Sequence, residues 1–168
     1  KILVIGDGAE YKLVVNRAEN LGLLNKKIFF EKGMPKSEIV AAFSAATMAS
    51  TLFIDKPEMR ANSANKFFDA LAAGKPLLIN HGGWMHEMVL KSACGIVAWQ
   101  TDIDQTASEV NDKVNDVKWL SLASGNSKAL AYRNFDRDIL SEKLALILES
   151  VVSDTIANPE DIAPDDFL

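Results

Sequence analysis

The sequence predicts an α/β fold, a Rossmann-like parallel sheet with helices on both faces, and three observations carry that expectation. Short apolar runs alternate with helix-period segments almost from end to end, the pattern of successive strand–helix units. Runs such as Leu77-Leu78-Ile79 are apolar without alternation, as strands covered on both faces are. The chain is 168 residues long, 48% hydrophobic and 24% charged, which is one ordinary globular domain's worth of material.

Lys1–Ile5 is expected to be the first strand, and Glu10–Leu21 the first helix, with Tyr11, Val14, Val15 and Ala18 on one stripe. Lys27–Phe30 is the second strand. Ser37–Ala46 is the second helix; Pro35 and Lys36 lead into it, and Ser37 has the side chain of an N-cap. Met48–Ile54 makes the third strand, and a loop then runs to Asn62. Ala64–Ala73 is the third helix, followed by Gly74 where a left-handed cap is wanted. Leu77–Asn80, Trp84–Lys91 and Gly95–Trp99 supply a strand, a helix and a fifth strand. Beyond Thr101 the strands stop, and Ile103–Val114, Lys118–Ala131 and Arg137–Val152 are three further helices. All five strands are expected in one parallel sheet, in a domain over residues 1–152, with an acidic tail at 153–168. The chain opens directly in an apolar run, the start expected of a segment cut from a longer protein.

The formal net charge of −5 belongs to that tail. Asp154, Glu160, Asp161, Asp165 and Asp166 lie there without a Lys or Arg; setting those five aside leaves 18 of the 23 acids against 18 basic residues. A neutral body lacks the basic excess that binding to phosphate backbones demands, so no nucleic-acid partner is expected. The single cysteine, Cys94, forms no internal disulfide and suits a reducing cytoplasm. Two histidines and one cysteine argue against a structural zinc site. No apolar run approaches the ~20 residues of a transmembrane span.

In an open parallel sheet, ligands bind beyond the carboxyl ends of the strands. The loops that matter are therefore Gly6–Ala9, Glu31–Lys36, Asp55–Ala64 and His81–Met85. The first reads Gly6-Asp7-Gly8, which invites a dinucleotide-binding interpretation. Tyr11 occupies the third glycine's place, and Asn25-Lys26-Lys27 stands where a ribose-binding acid is needed. A tight turn explains the loop better than a nicotinamide cofactor does.

The most informative stretch is Asn62 to Pro76. Phe67, Phe68 and Leu71 fall on one helical face, while Asn62, Asn65, Lys66 and Asp69 fall on the other. Exposed N–H groups at Ala64–Lys66 and the positive helix end favour an anion, and Lys66 adds a cation. A diphosphate on those groups would leave Asp69 to accept hydrogen bonds from two sugar hydroxyls. An amphipathic helix with an Asn cap and a Lys66–Asp69 surface pair describes the same residues equally well. Gly82 and Gly83, after His81, either admit a phosphate or sugar or simply turn the chain while Trp84 packs. His86 suits a surface or capping role, Cys94 a small core residue, and Asp102 in Asp102-Ile103-Asp104 a helix N-cap rather than a metal ligand.

Phe68-Asp-Ala-Leu-Ala-Ala-Gly-Lys-Pro76 resembles the donor-binding segment of retaining, family-four (group 1) glycosyltransferases, which have the two-domain B-type fold (GT-B). Their Glu–seven–Glu motif ends in a pattern like L-E-A-M-A-x-G-K-P, with Asp69 here in place of the second Glu. Leu3 to Gly8, Phe29–Lys36 and Gly82 to Glu87 follow the family's order, so the resemblance covers about 150 residues. It departs at Ala61, where the family's first Glu contacts the transferred sugar, and at Asn62-Ser63-Ala64, which replaces a Gly-x-Gly loop. Asn62 or Ser63 is a candidate for the missing sugar contact, as in deoxy-amino-sugar transferases with an N-S-x-N-K variant.

The resemblance implies one half of a GT-B enzyme, the donor-binding half, with its first strand–helix unit and its acceptor domain missing. The implied donor-site residues are Asp69, Asn62, Ser63, Ala64, Asn65, Lys66, Gly6, Lys32, Gly33, Gly82 and Gly83; Glu87 matches a family acid, and satisfying backbone groups at a helix start is the other reading of it. A nucleoside-diphosphate sugar is the expected donor substrate, a hydroxyl the acceptor, and neither metal nor cofactor is expected. The implied setting is bacterial surface or capsular polysaccharide assembly in the cytoplasm, with any peripheral membrane contact made through the missing domain. The chain alone is expected to be inactive. Two other functions fit the same fold: a nucleotide-binding module without chemistry, and a nucleotide-sugar epimerase, which needs acid–base groups such as Asp69, Glu87, His81 and His86 at the cleft.

Overall fold

The computed structural model describes residues 1–54 and 56–153, so the acidic tail lies outside the described residues from Asp154 onward. Two compact units divide the chain after Ser44.

In the first unit, β1 (Ile2–Ile5) pairs in parallel with β2 (Ile28–Glu31), Ile2 opposite Ile28 and Ile5 opposite Glu31. The crossover is α1 (Tyr11–Asn20), whose Ala18 is buried and whose Tyr11 ring meets Phe30 edge-on at 5.9 Å. Of the expected stripe, Val14 stays 46% exposed. Gly22, at φ +65, ends the helix: its N–H reaches the Glu19 carbonyl, and that of Leu23 reaches Ala18. The next helix, α2 (Lys36–Ala45), starts one residue earlier than expected, so Ser37 lies inside it rather than capping it. The Pro35 carbonyl instead accepts from the N–H groups of Glu38 and Ile39. Proline's fixed φ suits that entry.

The second unit runs β3 (Ala49–Thr51), a 3₁₀ turn (Pro57–Ala61), α3 (Asn65–Ala72), β4 (Leu77–Ile79), α4 (Trp84–Ser92) and β5 (Gly95–Val97). Helices α5 (Ile103–Asn115), α6 (Val117–Phe135) and α7 (Arg137–Val152) follow. Central β4 pairs in parallel with β3 and with β5. Phe67 and Leu71 of α3, Leu77 and Ile79 of β4, and Met85 and Val89 of α4 are fully buried, so the core is built around that strand. Helix α6 closes it, packing on α3 and carrying Ala123 and Leu130 inward. Its buried Ser127 hydroxyl donates to the Lys75 carbonyl at 3.0 Å, tying α6 to the segment that feeds β4.

The strands are parallel, as expected, but they form a two-stranded and a three-stranded sheet rather than one. β3 stops at Thr51, where a strand to Ile54 was expected. Beyond it a side chain replaces the ladder: Phe53 N–H donates to Asn80 Oδ1 at 2.8 Å, and Asn80 Nδ2 donates to the Phe53 carbonyl at 2.9 Å. Asn80 is thereby spent, and β4 ends at Ile79. Gly74, at φ +64, ends α3 as expected, with its N–H on Leu71 and that of Lys75 on Ala70.

Three aspartates start the last three helices. Asp102 accepts from the N–H groups of Asp104 and Gln105, Asp116 from Lys118 and Trp119, and Asp136 from Asp138 and Ile139. The expected cap at Asp102 is therefore observed. Helix α6 runs on to Phe135, past the expected end at Ala131, because the Phe135 ring closes onto Phe67 and Phe68. No helix among the described residues is long and apolar enough to cross a membrane.

Candidate nucleotide-binding site

The start of α3 is the feature with the clearest chemistry. Ala64, not an asparagine, is its N-cap, and no side chain caps the helix. The Phe67 N–H turns back to the Ala64 carbonyl at 2.9 Å, and the first turn holds no acid. The backbone N–H groups of Asn65 and Lys66 and the positive end of the helix dipole are thus left for an external anion. Asn65, Lys66 and Ser63 are exposed, while Asn62, Ala64 and Asp69 are half-buried. Phe67 and Leu71 face the core, so the two-faced helix read from the sequence is the one formed.

Lys66 reaches back to the end of β3. Its Nζ lies 3.5 Å from the Leu52 carbonyl and 5.0 Å from the Phe53 ring centroid. Partial burial pushes its pKa below the ordinary lysine value, the mark of an ammonium that lacks full compensation for lost water.

The loop after β4 lies against the same neighbourhood. Trp84 Nε1 donates to the Asn62 carbonyl at 3.2 Å, fixing the approach to α3. The indole stacks on Phe68 at 6.1 Å and meets Phe67 edge-on at 5.6 Å. Gly83 sits at φ 99, ψ −167, and a Cβ there would strike the Arg60 carbonyl oxygen. At Gly82 a Cβ would come within 2.8 Å of the Trp99 ring. Both glycines therefore meet the protein's own 3₁₀ turn and β5 loop. The Arg60 guanidinium stands 5.3 Å over the Trp99 ring, and His86, half-buried rather than on the surface, meets that ring edge-on at 5.2 Å. His81 is 3% exposed; its Nδ1 lies 3.0 Å from the Gly82 carbonyl and its ring packs on Phe53 at 4.6 Å. Glu87 is exposed in the first turn of α4.

The remaining candidates, Gly6, Lys32 and Gly33, belong to the first unit. Gly6 N–H donates to the Glu31 carbonyl at 3.0 Å, which places the two strand-end loops side by side. Lys32 and Gly33 are exposed there. Each unit thus gathers its own share of the candidates. Phe53, Asn80, Arg60 and Trp99 were not singled out in the sequence; only Asn80 carried a signal there, as a polar residue closing an apolar strand. Cys94 is buried and its thiol is pushed up to about 11, which makes it a core residue and a poor nucleophile. No metal-binding cluster occurs among the described residues.

No family model matches the chain, and no curated protein sequence does. Solved structures do. HepE from Anabaena, in complex with UDP-glucose, superposes with a TM-score of 0.72 at 20% identity, over 88% of this chain and 40% of that one. WaaG, a glycosyltransferase involved in lipopolysaccharide biosynthesis, superposes at 0.64 and 21% identity, over 86% of this chain and 37% of that one. At such identities the likeness shows the fold: α/β with parallel strands, in agreement with half of a GT-B chain. The chain spans about two fifths of the length of each neighbour.

Proposed function

We propose that this chain is the donor-binding half of a glycosyltransferase that moves a sugar from a nucleoside-diphosphate donor to a hydroxyl acceptor. The observation that carries the reading is the uncapped start of α3, with Lys66 in its first turn and Asp69 one turn on. A leaving nucleoside diphosphate gains negative charge as the glycosidic bond breaks. Oriented N–H groups and an ammonium aimed at its oxygens stabilise that charge without reorganising. Asp69 would accept hydrogen bonds from the two ribose hydroxyls. Its side chain is one methylene shorter than a glutamate, so the nucleotide must sit closer to the helix. A fold neighbour solved with UDP-glucose supports a donor of this class.

In this reading Asn62 and Ser63 contact the donor sugar, and the loop at Gly82 and Gly83 backs the site. The reaction proceeds with retention and without a required metal or cofactor, in surface polysaccharide assembly. An acceptor domain completes the cleft, so the chain alone binds donor but transfers nothing. Positioning two reactants contributes about 7–11 kcal/mol to catalysis, and one wall of a cleft cannot supply it.

Titration with uridine and guanosine diphosphates tests the proposal. Expected affinity is nearer millimolar than micromolar, about −4 to −5 kcal/mol, and Asp69→Asn should weaken it roughly tenfold, the effect of losing hydrogen bonds to a charged group. A deoxyribose diphosphate should bind weakly to both proteins. Equal binding of the ribose and deoxyribose forms, unchanged by Asp69→Asn, would refute the assignment.

A further inference from the structure

We infer that Asn80 is a positioning residue for the phosphate-binding cation: its amide fixes Phe53, and Phe53 holds the Lys66 ammonium beside the first turn of α3. The inference rests on the proposed donor site and assigns part of its assembly to a residue that touches no ligand.

A lysine head at the end of four methylenes is mobile, and a mobile cation contributes little to an oriented phosphate site. Here the head has a defined place, 3.5 Å from the Leu52 carbonyl and 5.0 Å from the Phe53 ring centroid. Both contacts come from a segment that has already left its sheet, since β3 ends at Thr51. Such a segment would ordinarily be free to shift. The Asn80 side chain prevents it by satisfying both backbone groups of Phe53, at 2.8 and 2.9 Å, from the end of the central strand. A side-chain amide carries an accepting oxygen beside a donating nitrogen, the pairing that matches the two backbone groups of one residue. His81 packs against the same ring at 4.6 Å and is itself 3% exposed, so the ring that Lys66 meets is held by a buried neighbour as well. Order therefore passes from β4 through Asn80 to Phe53 and on to Lys66. Arg60, by contrast, is engaged with Trp99.

Uridine diphosphate and uridine monophosphate, titrated by NMR against a double-mutant cycle of Asn80→Leu and Lys66→Met, separate the links. Lys66→Met should cost about tenfold in diphosphate affinity and little for the monophosphate. Asn80→Leu should lower diphosphate affinity about three- to tenfold when Lys66 is present and leave it unchanged when Lys66 is methionine. Phe53→Leu keeps the backbone bonds to Asn80 but removes the ring face; it should reproduce the selective loss and serves if Asn80→Leu does not fold. Equal losses in both Lys66 backgrounds, or no loss with either Asn80→Leu or Phe53→Leu, would overturn the inference while leaving the donor site standing. No effect of Lys66→Met would overturn the phosphate role of Lys66 and this inference together.

Discussion

Replacing Gly83 by alanine should be among the most damaging single-methyl additions in the second unit. The residue sits at φ 99, ψ −167, a region essentially reserved for glycine, where another residue costs about 1–3 kcal/mol. The new methyl would also strike the Arg60 carbonyl oxygen, a backbone atom that cannot swing aside as a side-chain tip can. Overpacking of this kind adds about 1–3 kcal/mol. A combined loss of about 2–6 kcal/mol is a large share of the ~5–15 kcal/mol that holds a domain together. Urea denaturation followed by tryptophan fluorescence should show the midpoint falling by about 1–3 M, given the usual slope. Gly125→Ala is the matched control: it lies inside α6 with nothing within 4 Å of the new carbon, and it should stabilise by about 1 kcal/mol. If Gly83→Ala unfolds at the wild-type midpoint yet loses nucleotide binding, the glycine exists to admit a ligand and the steric argument is wrong.

Ser127→Ala should lower the melting temperature by about 2–8 °C, since it removes the hydrogen bond that ties α6 to the part-buried Lys75 carbonyl; an unchanged value would mean that this bond contributes nothing to stability. Cys94, pushed up to about 11 from 9.0, should resist alkylation at neutral pH until the protein unfolds, and rapid labelling of the native state would contradict its burial. Its neutral thiol is favoured by folding, so its contribution to stability should fade as the pH rises from 9.0 toward about 11. For Lys66, lowered below 10.5, the sign is the reverse: the unfolded chain holds that proton more tightly, so stability should rise with pH through the lowered value. Diphosphate affinity should fall over the same alkaline window as the ammonium is lost, and a pH profile that Lys66→Met fails to flatten would exclude the lysine.

The parts of this protein legible in its sequence are those decided by local chemistry. Gly74 ends α3 because only a residue tolerant of left-handed geometry closes that turn, and Asp102 opens α5 because a short carboxylate reaches two N–H groups. The two faces of α3 follow from the spacing of Phe67 and Leu71 against Lys66 and Asp69. What the sequence hides is competition between distant groups. Nothing near Phe53 announces that a side chain 27 positions away will replace its ladder partner and shorten β3. Nor does the pair Gly82-Gly83 reveal whether its missing side chains make room for a ligand or for Trp99 and Arg60. The Asn cap expected for α3 is not formed either: the cap is Ala64, and the Asn62 carbonyl answers to Trp84.

Asp116 and Asp136 have a consequence for how this chain can change length. Asp116 both ends α5 and begins α6; Asp136 does the same between α6 and α7. With one residue between helices there is no slack. Inserting a single residue inside α6 would turn everything after it by about 100° about the helix axis and carry Phe135 away from Phe67 and Phe68. Deleting Asp116 would run α5 straight into α6 as one rod. Insertions and deletions should therefore be far less tolerated between Asp102 and Val152 than substitutions are, and variation in length is expected elsewhere in the chain.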